Sequence, residues 1–132
     1  MKNKLSDIDY ALAKLLLERV QNKHGTIAYG DCATELSKML GRSINPHFNL
    51  SEPLYHTSEI CFELGLPLLS ALVIYKNDTT GTGTGQGFYK MASDYRPEYK
   101  SMEPKAAWKA ELTRIRSCAD WSPLSDYLKQ HC

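Results

Sequence analysis

The amino-acid sequence predicts a mainly helical α+β fold, and three observations support this prediction. Five segments repeat apolar residues at helical spacing and carry capping residues or glycines at their ends. Residues 68–75 (LLSALVIY) have the length and the β-branched content of a strand. Residues 88–91 follow a glycine-rich turn and are predicted to return as its antiparallel partner.

The first two helices are predicted from their end signals. Ser6 caps the first, and Asp9 follows at the spacing of a capping box. Gly25 is predicted to end this helix, and a brief extended piece at residues 26–28 follows it. A second helix is predicted at residues 31–40, before Gly41.

The later elements follow the same logic. After a polar loop at residues 41–50, Ser51 caps a third helix that ends at Gly65. The predicted strands at residues 68–75 and 88–91 enclose a loop of threonine and glycine. A fourth helix begins near Pro104, and a short final helix begins at Ser122.

The 132 residues predict one domain that buries its own core. We expect a core at about residues 5–91 and a C-terminal helical extension at about residues 101–130. No apolar run approaches about 18 residues, and charges interrupt the apolar N-terminus, so neither a membrane span nor a secretory signal is predicted. We therefore expect a cytoplasmic protein without a membrane partner.

The residues that usually carry chemistry are dispersed. The four cysteines form no CxxC pair, and the four histidines are scattered, so no metal or other cofactor is predicted. The glycine loop lacks the lysine of a phosphate-binding loop. His47 and His56 flank the start of the third helix, but no nucleophile stands beside them in sequence. We predict no catalytic residue, and an unrecognised enzyme is the last alternative.

The predicted order of helix, short strand, helix, helix and β-hairpin is that of a winged helix, whose third helix usually reads the DNA groove. The string GTIAYGDCATELSKMLGR, followed by Gly65-Leu66-Pro67 and the strand, resembles the winged-helix DNA-binding domain of alkylguanine-DNA alkyltransferases and alkyltransferase-like proteins. The resemblance covers about residues 25–90. It implies that Tyr29 helps to rotate a nucleotide out of the base stack.

The sequence departs from that family at the reactive site. The family carries a Pro-Cys-His-Arg motif, whereas residues 67–70 read Pro-Leu-Leu-Ser. Alkyl transfer needs an activated thiolate, so this reaction is excluded. The predicted recognition helix, SEPLYHTSEICFEL, also lacks the arginine with which the family fills the gap of a flipped base.

The net charge of +1 is the sum of segments that differ in charge. Residues 26–78 hold three basic and six acidic side chains, whereas residues 79–132 hold eight basic and six acidic ones. Between residues 90 and 116 the cations are mixed with tyrosines, as on a surface that binds a nucleic-acid strand. The acidic third helix would instead repel DNA.

Two function classes follow from this distribution. The first is a non-catalytic protein that binds DNA or another nucleic acid. Its predicted contact residues are Tyr29, Arg42, Asn45, His47, Lys90, Arg96, Lys100, Lys105 and Lys109. The alternative is a small phage- or mobile-element-type inhibitor, of the anti-CRISPR or anti-restriction type, that binds a basic nucleic-acid-handling protein of a host defence system. Its predicted contact residues are Glu52, Glu59 and Glu63.

Overall fold

The computed structural model describes residues 6–45, 50–74 and 86–130, and these ranges are mainly helical. They contain six α-helices, two 3₁₀ helices and two short strands. In chain order these are α1 (Asp7–Gln21), β1 (Ile27–Ala28), α2 (Tyr29–Leu40), α3 (Ser51–Glu63), a first 3₁₀ helix (Leu69–Leu72), β2 (Val73–Ile74), α4 (Gln86–Tyr95), a second 3₁₀ helix (Pro97–Ser101), α5 (Pro104–Ser117) and α6 (Ser122–Gln130). The predicted mainly helical α+β class is confirmed.

Helix α1 is the central element. Its predicted capping box is present: Asp9 donates its backbone N–H to Oγ of Ser6 at 3.1 Å, and Ser6 donates its own to the Asp9 carboxylate at 3.3 Å. Helices α2, α3 and α6 all pack against α1. Leu12 and Leu16 are consequently fully buried.

The two strands form a parallel pair, in which Ile27 lies opposite Val73 and Ala28 opposite Ile74. The predicted β-hairpin is wrong. Of the predicted strand at residues 68–75, Val73 and Ile74 form a strand, and residues 69–72 before them form a 3₁₀ helix that is buried against α3 and α5. A short apolar run of this kind does not distinguish a strand from another fully buried segment.

The second predicted strand, residues 88–91, lies within α4. The reason is visible in its burial pattern: Phe88, Met91 and Ala92 are all buried. These positions are three and four residues apart, so a helix places them on one face, whereas a strand would turn successive residues to opposite faces.

The core is one cluster of buried residues that extends from Ala11 to Leu128. Helices α5 and α6 contribute Leu112 and Leu124 to it, and Trp121 in the connection between them is also buried. Within the described residues, no helix combines the length and apolar character needed to cross a membrane.

Candidate binding surfaces

Helix α3 and the end of α4 form an exposed aromatic surface. Tyr55 and Phe62 are 48% and 40% exposed, and they lie two helical turns apart on one face of α3. The ring of Tyr95 stacks on Phe62 with centroids 4.6 Å apart, and it also faces Tyr55 at 6.5 Å. We call these three side chains the aromatic patch.

Glutamates share the helix face that carries the patch. Glu59 and Glu63 lie four and eight residues after Tyr55, and the exposed Glu52 lies three residues before it. The pKa of Tyr95 is raised by burial, by its hydrogen bond with Tyr55, and also by the negative charges of Glu59 and Glu63. These carboxylates therefore act electrostatically on the patch. Since α3 has no lysine or arginine, the face of α3 that carries the patch is both aromatic and acidic.

Arg42, a predicted nucleic-acid contact, is held by a carboxylate. Both of its terminal nitrogens donate to the carboxylate of Asp7, with Nη2 at 3.0 Å from Oδ1. Their hydrogen bond lowers the pKa of Asp7 and raises that of Arg42. Arg42 thus fastens the loop after α2 to the first turn of α1.

Arg96, a second predicted contact, is bound in the interior. Its Nε donates to Oε1 of Glu111 at 2.8 Å, and its side chain is only 15% exposed. Glu111 is fully buried and also accepts from the Tyr99 hydroxyl and the Leu68 backbone N–H, each at 2.6 Å. The structure therefore gives Arg96 a partner within the fold, which the nucleic-acid prediction did not anticipate.

The other predicted nucleic-acid contacts are spread over several elements. Tyr29 begins α2 and packs partly buried against the core, and Asn45 is exposed in the loop after α2. His47 lies outside the described residues. The four predicted lysines are exposed on α4, the second 3₁₀ helix and α5: Lys90, Lys100, Lys105 and Lys109. Of these, Lys105 and Lys109 share one face of α5 because they are one turn apart.

We did not predict the aromatic patch or the buried Glu111 from the sequence, although the spacing of these residues along their helices indicates both. Tyr55 and Phe62 are seven residues apart with Glu59 between them, which places all three on one face. Glu111 falls three residues after Trp108 and one before Leu112, on the apolar face of its helix. A charged residue at such a position predicts a buried, paired carboxylate.

His56, considered as a general base, is paired with a structural carboxylate. Its Nδ1 lies 3.0 Å from Oδ2 of Asp9, the residue that completes the capping box of α1. In the ranges that the structure describes, no three His, Cys, Asp or Glu side chains are grouped so that they could hold a metal ion.

Comparison with known proteins finds no match for this chain among protein-family models, curated proteins or solved structures. The resemblance of residues 25–90 to alkyltransferase-like proteins therefore stays a prediction from the sequence.

Proposed function

We propose that this chain is a non-catalytic binding protein that holds a lysine- and arginine-rich segment of another protein against α3. The observation that carries the proposal is the aromatic patch, in which exposed Tyr55 and Phe62 lie beside Glu59 and Glu63. Guanidinium and ammonium groups are attracted both to the faces of aromatic rings and to carboxylates. Each cation–π contact at an exposed site stabilises a complex by about 0.5–1 kcal/mol.

Two features favour a protein partner at this surface. Tyrosine is enriched among the residues that dominate binding energy in protein interfaces, and contiguous exposed apolar surface marks interaction sites. The glutamates of α3 would oppose the phosphates of a nucleic acid but complement a basic protein surface. A nucleic-acid-handling protein carries such a surface where it contacts phosphates, so binding there would inhibit it. We propose that this binding takes place in the cytoplasm.

A direct binding experiment tests this function. A fluorescein-labelled peptide rich in arginine and lysine is titrated with the protein at 50 and 300 mM salt, and its anisotropy is measured beside an acidic peptide of equal length. We expect binding of the basic peptide alone, weaker at the higher salt concentration. Binding of both peptides, or of neither at 50 mM salt, would contradict the proposal.

Substitutions on α3 then test whether the basic peptide binds to this helix. Glu59→Lys combined with Glu63→Lys should lower the affinity at least tenfold, and Tyr55→Ala should lower it severalfold. Glu18→Lys combined with Glu103→Lys is the matched control, because it reverses two exposed glutamates outside α3. It should leave the affinity within twofold. An equal loss in the control would assign binding to net charge and not to α3.

Nucleic-acid binding through α5 is the second candidate, and the exposed pair Lys105 and Lys109 favours it. If the chain is related to winged-helix proteins, Tyr29 would also contact the nucleic acid. The order of α1, β1, α2 and α3 supports that relationship, whereas the predicted hairpin does not. Titration with duplex and single-stranded DNA and RNA at two salt concentrations tests this candidate. Binding should weaken steeply with salt and should be lost in the Lys105→Glu, Lys109→Glu variant. No binding at low salt would exclude it.

A further inference from the structure

A partly open cavity of about 960 Å³ lies between the loop after α1 and the corner that joins α5 to α6. We call it the corner cavity. Its apolar lining includes Leu72, Leu112 and Ile115, each at most 6% exposed, together with Trp121. Pockets for small molecules commonly have volumes of about 300–1,000 Å³ and predominantly apolar walls. The corner cavity has a volume in this range, and its walls are apolar and polar in nearly equal parts.

The polar lining of the cavity carries more positive than negative charge. Lys23 comes from the loop after α1, and Arg116 from the last turn of α5. Among the described residues that line the cavity, Asp120 is the one carboxylate. It accepts the backbone N–H of Ser122 at 2.9 Å, which lowers its pKa and directs its charge to the start of α6. Lys23 and Arg116 thus line the cavity from two different elements.

Lys23 adopts an unusual backbone conformation at the end of α1. Its φ of 57° lies in the left-handed region, and it is the one described residue other than glycine with a positive φ. The Lys23 N–H donates to the Val20 carbonyl, and the His24 N–H donates to that of Arg19. This pattern is a Schellman ending, where the left-handed residue is usually glycine.

We propose that the corner cavity binds a small organic anion, a carboxylate or sulfonate attached to an apolar body. The apolar lining would contact the body, and Lys23 and Arg116 would pair with the anionic group. A fully polar anion would leave the buried leucine and isoleucine surface without a contact, and a cation would meet two like charges. The site shares no residue with the aromatic patch, so this proposal is independent of the proposed function.

Decanoate and 8-anilinonaphthalene-1-sulfonate are suitable probes, because each joins an anionic group to an apolar body. Calorimetry on the full chain should show one decanoate bound per chain, and decanoate should displace the naphthalene sulfonate in a fluorescence titration. Decyltrimethylammonium has the same chain with a cationic group and should bind at least tenfold more weakly. No binding of decanoate at millimolar concentration, or equal binding of both surfactants, would overturn the proposal.

Lys23→Gly separates binding from stability. It removes the ammonium group and also relieves the left-handed backbone, so decanoate affinity should fall about tenfold while the melting temperature rises. Arg116→Gln should weaken decanoate by a similar factor. Lys14→Ala, which removes an exposed lysine of α1, is the matched control and should change the affinity less than twofold. Unchanged binding in both Lys23→Gly and Arg116→Gln would overturn the proposal, and so would loss of decanoate binding in Tyr55→Ala.

Discussion

The guanidinium of Arg96 lies 2.8 Å from the carboxylate of Glu111, which has no exposed surface. The hydroxyl of Tyr99 and the backbone N–H of Leu68 donate to the same carboxylate. A buried carboxylate is costly unless charges and hydrogen bonds compensate it. This pair therefore joins the segment after α4, helix α5 and the chain that enters the first 3₁₀ helix.

Removal of the guanidinium should destabilise the fold strongly. We expect Arg96→Met to lower the free energy of unfolding by about 3 kcal/mol, because the buried Glu111 carboxylate then keeps only the more distant guanidinium of Arg114, whose Nε lies 3.9 Å from Oε1. Urea denaturation measures the change. Adding Glu111→Leu should recover part of the loss, since the two substitutions remove one interaction.

Arg42→Met is the matched control for this prediction, because its ion pair with Asp7 is exposed. It should lower the free energy of unfolding much less than Arg96→Met does. Equal losses in the two variants would show that the buried site does not depend on its cation.

Local signals predicted much of the helical framework. Ser6 and Asp9 form the capping box that their spacing predicts, and Gly41 and Gly65 both follow helices with a positive φ. Such end signals act within a few residues, so the sequence contains them in full. The end of α1 differs from the prediction, because Lys23 takes the left-handed conformation two residues before Gly25.

The contacts that the sequence did not reveal are long-range ones. Residues 88–91 were predicted as a strand from their aromatic content, yet burial of Phe88 and Met91 on one face favours a helix. The charge pattern predicted an acidic α3, but it did not show that Tyr95 of α4 stacks on Phe62. Arg96 was predicted as a surface cation because its partner is fifteen residues away on another element.

The left-handed conformation of Lys23 predicts a stabilising substitution. Lys23→Gly should raise the free energy of unfolding by about 1 kcal/mol, because glycine adopts this conformation without a steric penalty. Lys14→Gly makes the same chemical change within α1 and should lower the free energy of unfolding by about 1 kcal/mol. Thermal and urea unfolding of both variants test the contrast, and destabilisation by Lys23→Gly would contradict it.

The described cysteines should differ sharply in reactivity. Cys32 and Cys61 are buried, and burial raises the pKa of each thiol to about 12. Cys118 is partly exposed. Since the thiolate is the reactive form, iodoacetamide at pH 8 should label Cys118 in the folded protein and reach the other two only in urea.

Peptide mass spectrometry over a time course separates these sites. The ratio of labelling rates between the Cys118 and Cys61 peptides should fall towards unity when the protein is unfolded. Comparable rates in the folded protein would show that the core around Cys61 opens readily.

Stability should also fall at alkaline pH through Tyr99. Burial, together with the hydrogen bond to Glu111, raises the pKa of Tyr99 to about 12. A folded-state pKa above the ordinary value of about 10 favours the protonated phenol, so its contribution is complete below pH 10 and is lost as the pH rises towards 12. Over that interval the loss is on the order of 2 kcal/mol. Urea denaturation at pH 8, 10 and 11.5 should show a steeper decline for the unmodified protein than for Tyr99→Phe, and parallel declines would contradict the prediction.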